Sequence, residues 1–131
     1  MGLSILIPTY NDDCYDLVYE IQKQASAIHA LAYEIVVGDD GSTDQRVVDS
    51  IKRVSHMENC RVIRPENNIG RAAIRNMLAR EASYEWILFI DADMRISCSN
   101  FIDKYIEKTA HNYVVYGGYE VPKLNIKNNL I

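Results

Sequence analysis

Apolar and polar positions along the chain switch between two periods. Short runs rich in β-branched residues predict five strands: "LSILIP" (3–8), "YEIVVGDD" (33–40), "CRVIR" (60–64), "EWILFIDAD" (85–93) and "YVVYGGY" (113–119). Between them, apolar residues recur at helical spacing. Cys14, Leu17, Val18, Ile21, Ala25, Ile28 and Ala32 predict a helix over 12–32. Val47, Val48, Ile51 and Val54 predict a second, capped by Ser42 or Thr43. "RAAIRNMLAREA" (71–82) is a run of good helix formers, and "SNFIDKYIEKTA" (99–110) is a fourth helix capped by Ser99 or Asn100. "PENNIG" (65–70) reads as a turn-rich loop, and the Asn-rich segment 120–131 as a loop or frayed end. Strand–helix alternation predicts one α/β domain over 1–131, with a mostly parallel sheet. Strands this continuously apolar are covered by helices on both faces.

The polar residues then acquire a common address. Parallel strands bring their C-terminal ends to one sheet edge, and ligands bind there where the strand order reverses. Thr9, Tyr10, Asn11 and Asp12 follow the first strand, and Asp39, Asp40, Gly41 and Ser42 the second. The Asn67–Gly70 loop and Arg71 follow the third, and Asp91 and Asp93 the fourth. A 3-2-1-4 order would gather all four groups around the reversal. An apolar strand ending in Asp91-Ala92-Asp93 places two carboxylates on one face, because i and i+2 share a side in extended chain. Such hard oxygen donors suit Mg²⁺ or Mn²⁺ bound together with phosphates.

The motifs "SILIPTYND", "EIVVGDDGSTD", "NNIGRAAIRN" and "WILFIDADM" stand in order over residues 3–94. In these the sequence resembles the nucleotide-sugar-dependent glycosyltransferases of family 2, which have the Rossmann-like GT-A fold. The resemblance implies transfer of a sugar from a nucleotide-diphosphate sugar, UDP-linked, to a hydroxyl of a glycan or lipid-linked acceptor, with inversion. It implies that Asp40 bonds the nucleotide base, with Asp39 its neighbour. Pro8, Thr9 and Tyr10 would line the base pocket, and Arg71 or Arg75 would sit near base or phosphates. Asp91 would face the ribose, and Asp93, with Asp91 beside it, would bind Mn²⁺ or Mg²⁺. The chain is shorter than the family's usual length, so the resemblance implies a donor-binding half truncated after about the fifth strand. The general base would then lie beyond residue 131, and Glu120 is the only acid after the fifth strand. A cytoplasmic location, or a peripheral one at the inner face of the membrane, is implied as well.

Composition narrows the alternatives. The apolar fraction is 48%, the charged fraction 24% and the net charge −4, which suits a globular domain and argues against nucleic acid as partner. Cys14, Cys60 and Cys98 show no zinc-type spacing and read as free thiols. His29, His56 and His111 are scattered surface residues. The start "MGLSIL" has no basic leader, and Leu6 stands where a myristoylation signal needs Ser or Thr. No apolar run approaches membrane-spanning length. A phosphorylation receiver domain would carry its acids after strands one and three, and a D-x-D phosphatase after strand one. No G-x-G-x-x-G follows a strand, which disfavours a nicotinamide-binding domain. The remaining competitor is a nucleotide-binding fragment without catalysis. An open sheet edge would also invite a homodimer.

Overall fold

β1 (Gly2–Thr9) is the apolar run at the start of the chain, and it has a parallel neighbour on each side. In the computed structural model, which describes residues 1–110, it is followed by α1 (Tyr15–Ser26), β2 (Ala32–Asp39), α2 (Gln45–Val54) and β3 (Cys60–Ile63). α3 (Arg71–Glu81), β4 (Trp86–Phe89) and α4 (Phe101–Thr109) complete the described elements. The strand expected at 113–119 and Glu120 lie outside the described residues. The sheet order is β3-β2-β1-β4, all parallel, so the reversal falls between β1 and β4, the arrangement under which the four strand-end groups would gather. The register is level: Thr9 lies beside Asp39, and Gly38 beside both Pro8 and Ile63.

Alternation along the strands divides the core between two faces. Leu3, Ile5, Ile7, Ile35 and Val37 pack with Leu17, Val18 and Ile21 of α1, Val47, Ile51 and Val54 of α2, and Ile102 of α4. On the other face Leu6 and Val36 meet Leu78 of α3. Gly38 is what lets α3 lie this close: a Cβ there would stand 2.9 Å from Leu78 Cδ1 and 3.1 Å from Ile74 Cγ1. The far edge of this second face is polar. Glu34 accepts from the hydroxyl of Ser4, the N–H of Ser83 and the guanidinium of Arg61. Burial pushes its carboxyl up, but these donors outweigh burial and hold it below the ordinary carboxylate value. Cys14, fully buried on the first face, has its thiol pushed up to about 12, chiefly by burial. No described helix is long and apolar enough to cross a membrane.

Several boundaries differ from expectation, each for a tertiary reason. α1 stops at Ser26, although the apolar stripe runs on: Ile28 and Leu31 reach the core from turns. A left-handed Ala30 (φ 62°) then feeds the chain into β2. Neither Ser42 nor Thr43 caps α2; the N-cap is Asp44, whose carboxylate accepts from the N–H of Arg46. Ser42 accepts instead from the N–H of Asn11. Neither Ser99 nor the N-cap residue Asn100 supplies a capping side-chain bond to α4. The buried Gln24 of α1 accepts from the N–H of Ile102 in its place.

Candidate functional site

The paired aspartates at the end of β2 take opposite directions, as successive residues of an extended chain must. Asp39 is 1% exposed and lies under the β2–α2 turn. Arg64, just past β3, donates one guanidinium nitrogen to its carboxylate and the other to the carbonyl of Ser42. The N–H of Ser42 donates to Asp39 as well, at 2.9 Å. Asp40 points the other way and closes the β3–α3 loop on itself. Its two carboxylate oxygens accept from the N–H groups of Ile69 (2.7 Å) and Gly70 (3.0 Å), and its carbonyl accepts from the Asn68 amide. Gly41 (φ 84°) and Gly70 (φ 95°) take the left-handed conformations this exchange requires.

Asn11 fastens the β1–α1 loop to the same turn. Its side-chain oxygen accepts from the N–H groups of Thr43 and Asp44, its amide donates to the Thr43 hydroxyl, and its own N–H donates to Ser42. Asn11 holds a left-handed φ of 57° to do so. Thr9 donates its hydroxyl to the carbonyl of Asp12, which rounds the loop off. Tyr10, half exposed, is carried outward between these anchors.

The last wall comes from the residues after β4, and here the geometry corrects the sequence reading. The strand ends at Phe89, with one further ladder-like bond from Ile90 N–H to the Leu6 carbonyl. Asp91 to Met94 form a turn closed by the Met94 N–H on the Asp91 carbonyl. A turn, not the shared face of a strand, therefore presents the two carboxylates. They stand unequally. Arg75 of α3 lies 3.6 Å from Asp91 and stacks its guanidinium 4.3 Å over the Phe89 ring. Among the described residues nothing pairs with Asp93.

These walls enclose an open cleft of about 360 Å³ at the β1/β4 reversal. Pro8, Thr9, Tyr10, Asp40, Arg71, Arg75, Asp91 and Asp93 all line it. Asp39 is the one residue given a nucleotide or metal role by the resemblance that does not; its carboxylate belongs to the scaffold beneath. Asp12, Asn68, Gly70, Ile74 and Ala92 complete the lining. Asn68 and Gly70 lie in the loop the sequence marks as turn-rich, whereas Arg64 and Asn11, which position the walls, carry no local signal of that role. Among the described residues no three His, Cys, Asp or Glu side chains gather as a metal cluster. His29 and His56 are exposed, and His111 lies outside the described residues.

The sequence model of the family described as Glycosyl transferase family 2 matches residues 4–129. The poly(ribitol-phosphate) β-N-acetylglucosaminyltransferase TarS of Staphylococcus aureus is 31% identical over 117 residues, covering 87% of this chain and 19% of TarS. The structure of TarS residues 1–349 in complex with UDP-GlcNAc superposes with a TM-score of 0.69 at 26% identity, over 94% of this chain and 37% of that one. The mannosyltransferase PcManGT from Pyrobaculum calidifontis, solved with GDP-Man and Mn²⁺, has the same fold: TM-score 0.71 at 21% identity, over 86% of this chain and 33% of that one. The chain thus spans well under half the length of these relatives. With its motifs, its sheet order and its cleft in agreement, this chain belongs to glycosyl transferase family 2 and has the GT-A fold.

Proposed function

We propose that this chain is the donor-binding part of a glycosyltransferase that takes a UDP-sugar with Mg²⁺ or Mn²⁺ and transfers the sugar with inversion. The observation that carries the reading is the cleft at the β1/β4 reversal, which combines an acceptor-only carboxylate, two arginines and a carboxylate unpaired among the described residues in one opening. Asp40 has spent two acceptor positions on Ile69 and Gly70, and an ionised carboxylate offers about four. Its remaining positions can take the imide N–H of uracil. Adenine and cytosine present an acceptor at the equivalent ring nitrogen and would be repelled. TarS, alike over most of this chain, was captured with UDP-GlcNAc, which supports uracil over guanine.

The residues also fit a divalent cation. Asp93 is exposed, lines the cleft and has no competing partner among the described residues, and hard carboxylate oxygen is the donor Mg²⁺ and Mn²⁺ prefer. Asp93 would hold the ion, with phosphate oxygens and water completing its shell. When bound, the ion supplies Lewis-acid stabilisation of the departing diphosphate. Arg71, at the first turn of α3, adds positive charge on the same wall, which a diphosphate facing Asp40, Asp91 and Asp93 needs.

Calorimetric titration of UDP into the protein with Mn²⁺, repeated in EDTA and with Asp93→Ala, tests this. Binding is expected with Mn²⁺ and lost in both controls. Equal binding in EDTA would overturn the metal role, and tighter binding of GDP than UDP would overturn the choice of base.

A further inference from the structure

The two aspartates that flank Ala92 stand two residues apart on one turn and differ sharply in company. Arg75 occupies one of them. Its guanidinium is held from two sides, by the carboxylate of Asp91 at 3.6 Å and by the face of Phe89 at 4.3 Å. Stacking on an aromatic face fixes the plane of a guanidinium, which a lysine ammonium in the same place would not have. Arg75 projects from the middle of α3, and α3 is locked to the sheet through Leu78, Ile74 and Gly38. The cation is therefore presented by a rigid element rather than by a loop. On the other side of Ala92, Asp93 is open to the cleft.

We propose that Arg75 is a positioning residue that withholds Asp91 from the divalent cation, so that Asp93 alone supplies carboxylate to the metal and Asp91 stays turned toward the sugar-nucleotide. This rests on the donor-site reading above and adds a division of labour to it. Two bare carboxylates on one turn would make a tight cation trap without any nucleotide. With the Arg75 charge 3.6 Å away offsetting Asp91, the pair makes a weaker cation site, which becomes strong only when the diphosphate arrives with its own oxygens. Metal capture is thereby tied to the presence of donor. Removing Arg75 has two opposite consequences. The nucleotide-free protein gains a second carboxylate and loses a repelling charge, so it binds Mn²⁺ more tightly. The nucleotide complex loses a cation beside its phosphates, so Mn²⁺-dependent UDP binding weakens.

The test is titration of Mn²⁺ into nucleotide-free protein, followed by the electron paramagnetic resonance of free Mn²⁺. Wild type, Arg75→Gln, Arg75→Lys and Arg75→Gln/Asp91→Asn are compared, with thermal midpoints as the check on folding. Arg75 is more than a third exposed, so these variants are expected to fold. Arg75→Gln should bind Mn²⁺ about fivefold more tightly than wild type, the scale of one unit-charge contact near 4 Å in water-like surroundings. Adding Asp91→Asn should remove the gain, and Arg75→Lys should show little gain because it keeps the charge. An Arg75→Gln affinity equal to or below that of wild type, or a gain that survives Asp91→Asn, overturns the withholding role while leaving metal-dependent UDP binding intact. Loss of Mn²⁺ binding in wild type even with UDP present would instead bring down the donor-site reading, and this inference with it.

Discussion

Arg64→Met removes one charge from the ion pair beneath the β2–α2 turn and keeps most of the alkyl stem. The Asp39 side chain is 2% exposed and Arg64 44%, so the variant leaves a buried carboxylate with the Ser42 N–H as its remaining donor among the described residues. Breaking a fully buried pair on one side costs about 3–5 kcal/mol. Arg64 is nearly half in water, which allows solvent to reach the gap, and this lowers the expected cost to about 2 kcal/mol. The Ser42 carbonyl also loses its donor, which belongs to the same sum. Adding Asp39→Asn should recover part of the loss, since a neutral amide costs less to bury than an unpaired anion. Urea denaturation at neutral pH, read as a double-mutant cycle, measures both effects. The coupling between the two sites should be at least about 1 kcal/mol. A change below about 0.5 kcal/mol for Arg64→Met, within the range of ordinary surface substitutions, would refute the reasoning. So would strict additivity in the double variant. Because Ser42 also receives the N–H of Asn11, Arg64→Met should loosen the Tyr10 wall and weaken UDP binding too.

Four further outcomes follow from the site and its supports. Metal-dependent UDP binding should vanish with Asp93→Ala, and nucleotide-free Mn²⁺ binding should tighten with Arg75→Gln, as set out above. Glu34 has its folded-state carboxyl held below the ordinary value of 4.5, so its contribution to stability is present above that value and lost as pH falls through the lower, folded one. Glu34→Gln should therefore lower the urea midpoint near neutrality and converge on wild type in acid; a gap that persists unchanged at low pH would count against the network. Gly38→Ala should destabilise by about 1–3 kcal/mol, because its methyl meets Leu78 and Ile74, which are 0% and 2% exposed and cannot retreat. It should also weaken UDP binding, since α3 carries Arg71 and Arg75 into the cleft; a thermal midpoint equal to wild type would show that α3 has more freedom than this packing allows.

What could be read in advance was set by period and by type. Alternating strands and helices and the clustering of strand-end residues at one edge follow from local apolar patterning and from the geometry of parallel sheets, whereas the β3-β2-β1-β4 order is set by the tertiary fold. Of the nine residues to which the resemblance gives roles, eight line one cleft: six sit at or next to strand ends, and Arg71 and Arg75 come from α3. Contacts between segments distant in the chain were not legible. That Asp39 is tied into the scaffold while Asp40 faces the cleft depends on Arg64 arriving from just past β3, 25 residues on. The caps of α2 and α4 went elsewhere because Asn11 claimed Ser42 and Gln24 reached Ile102. The division of Asp91 from Asp93 depends on a helix packed through Gly38. An amino-acid sequence states which groups carry charge and roughly where each strand ends. Which of two neighbouring carboxylates is left free is decided by what folds against them, since an opposite charge acts over a few ångströms of space and is indifferent to separation along the chain.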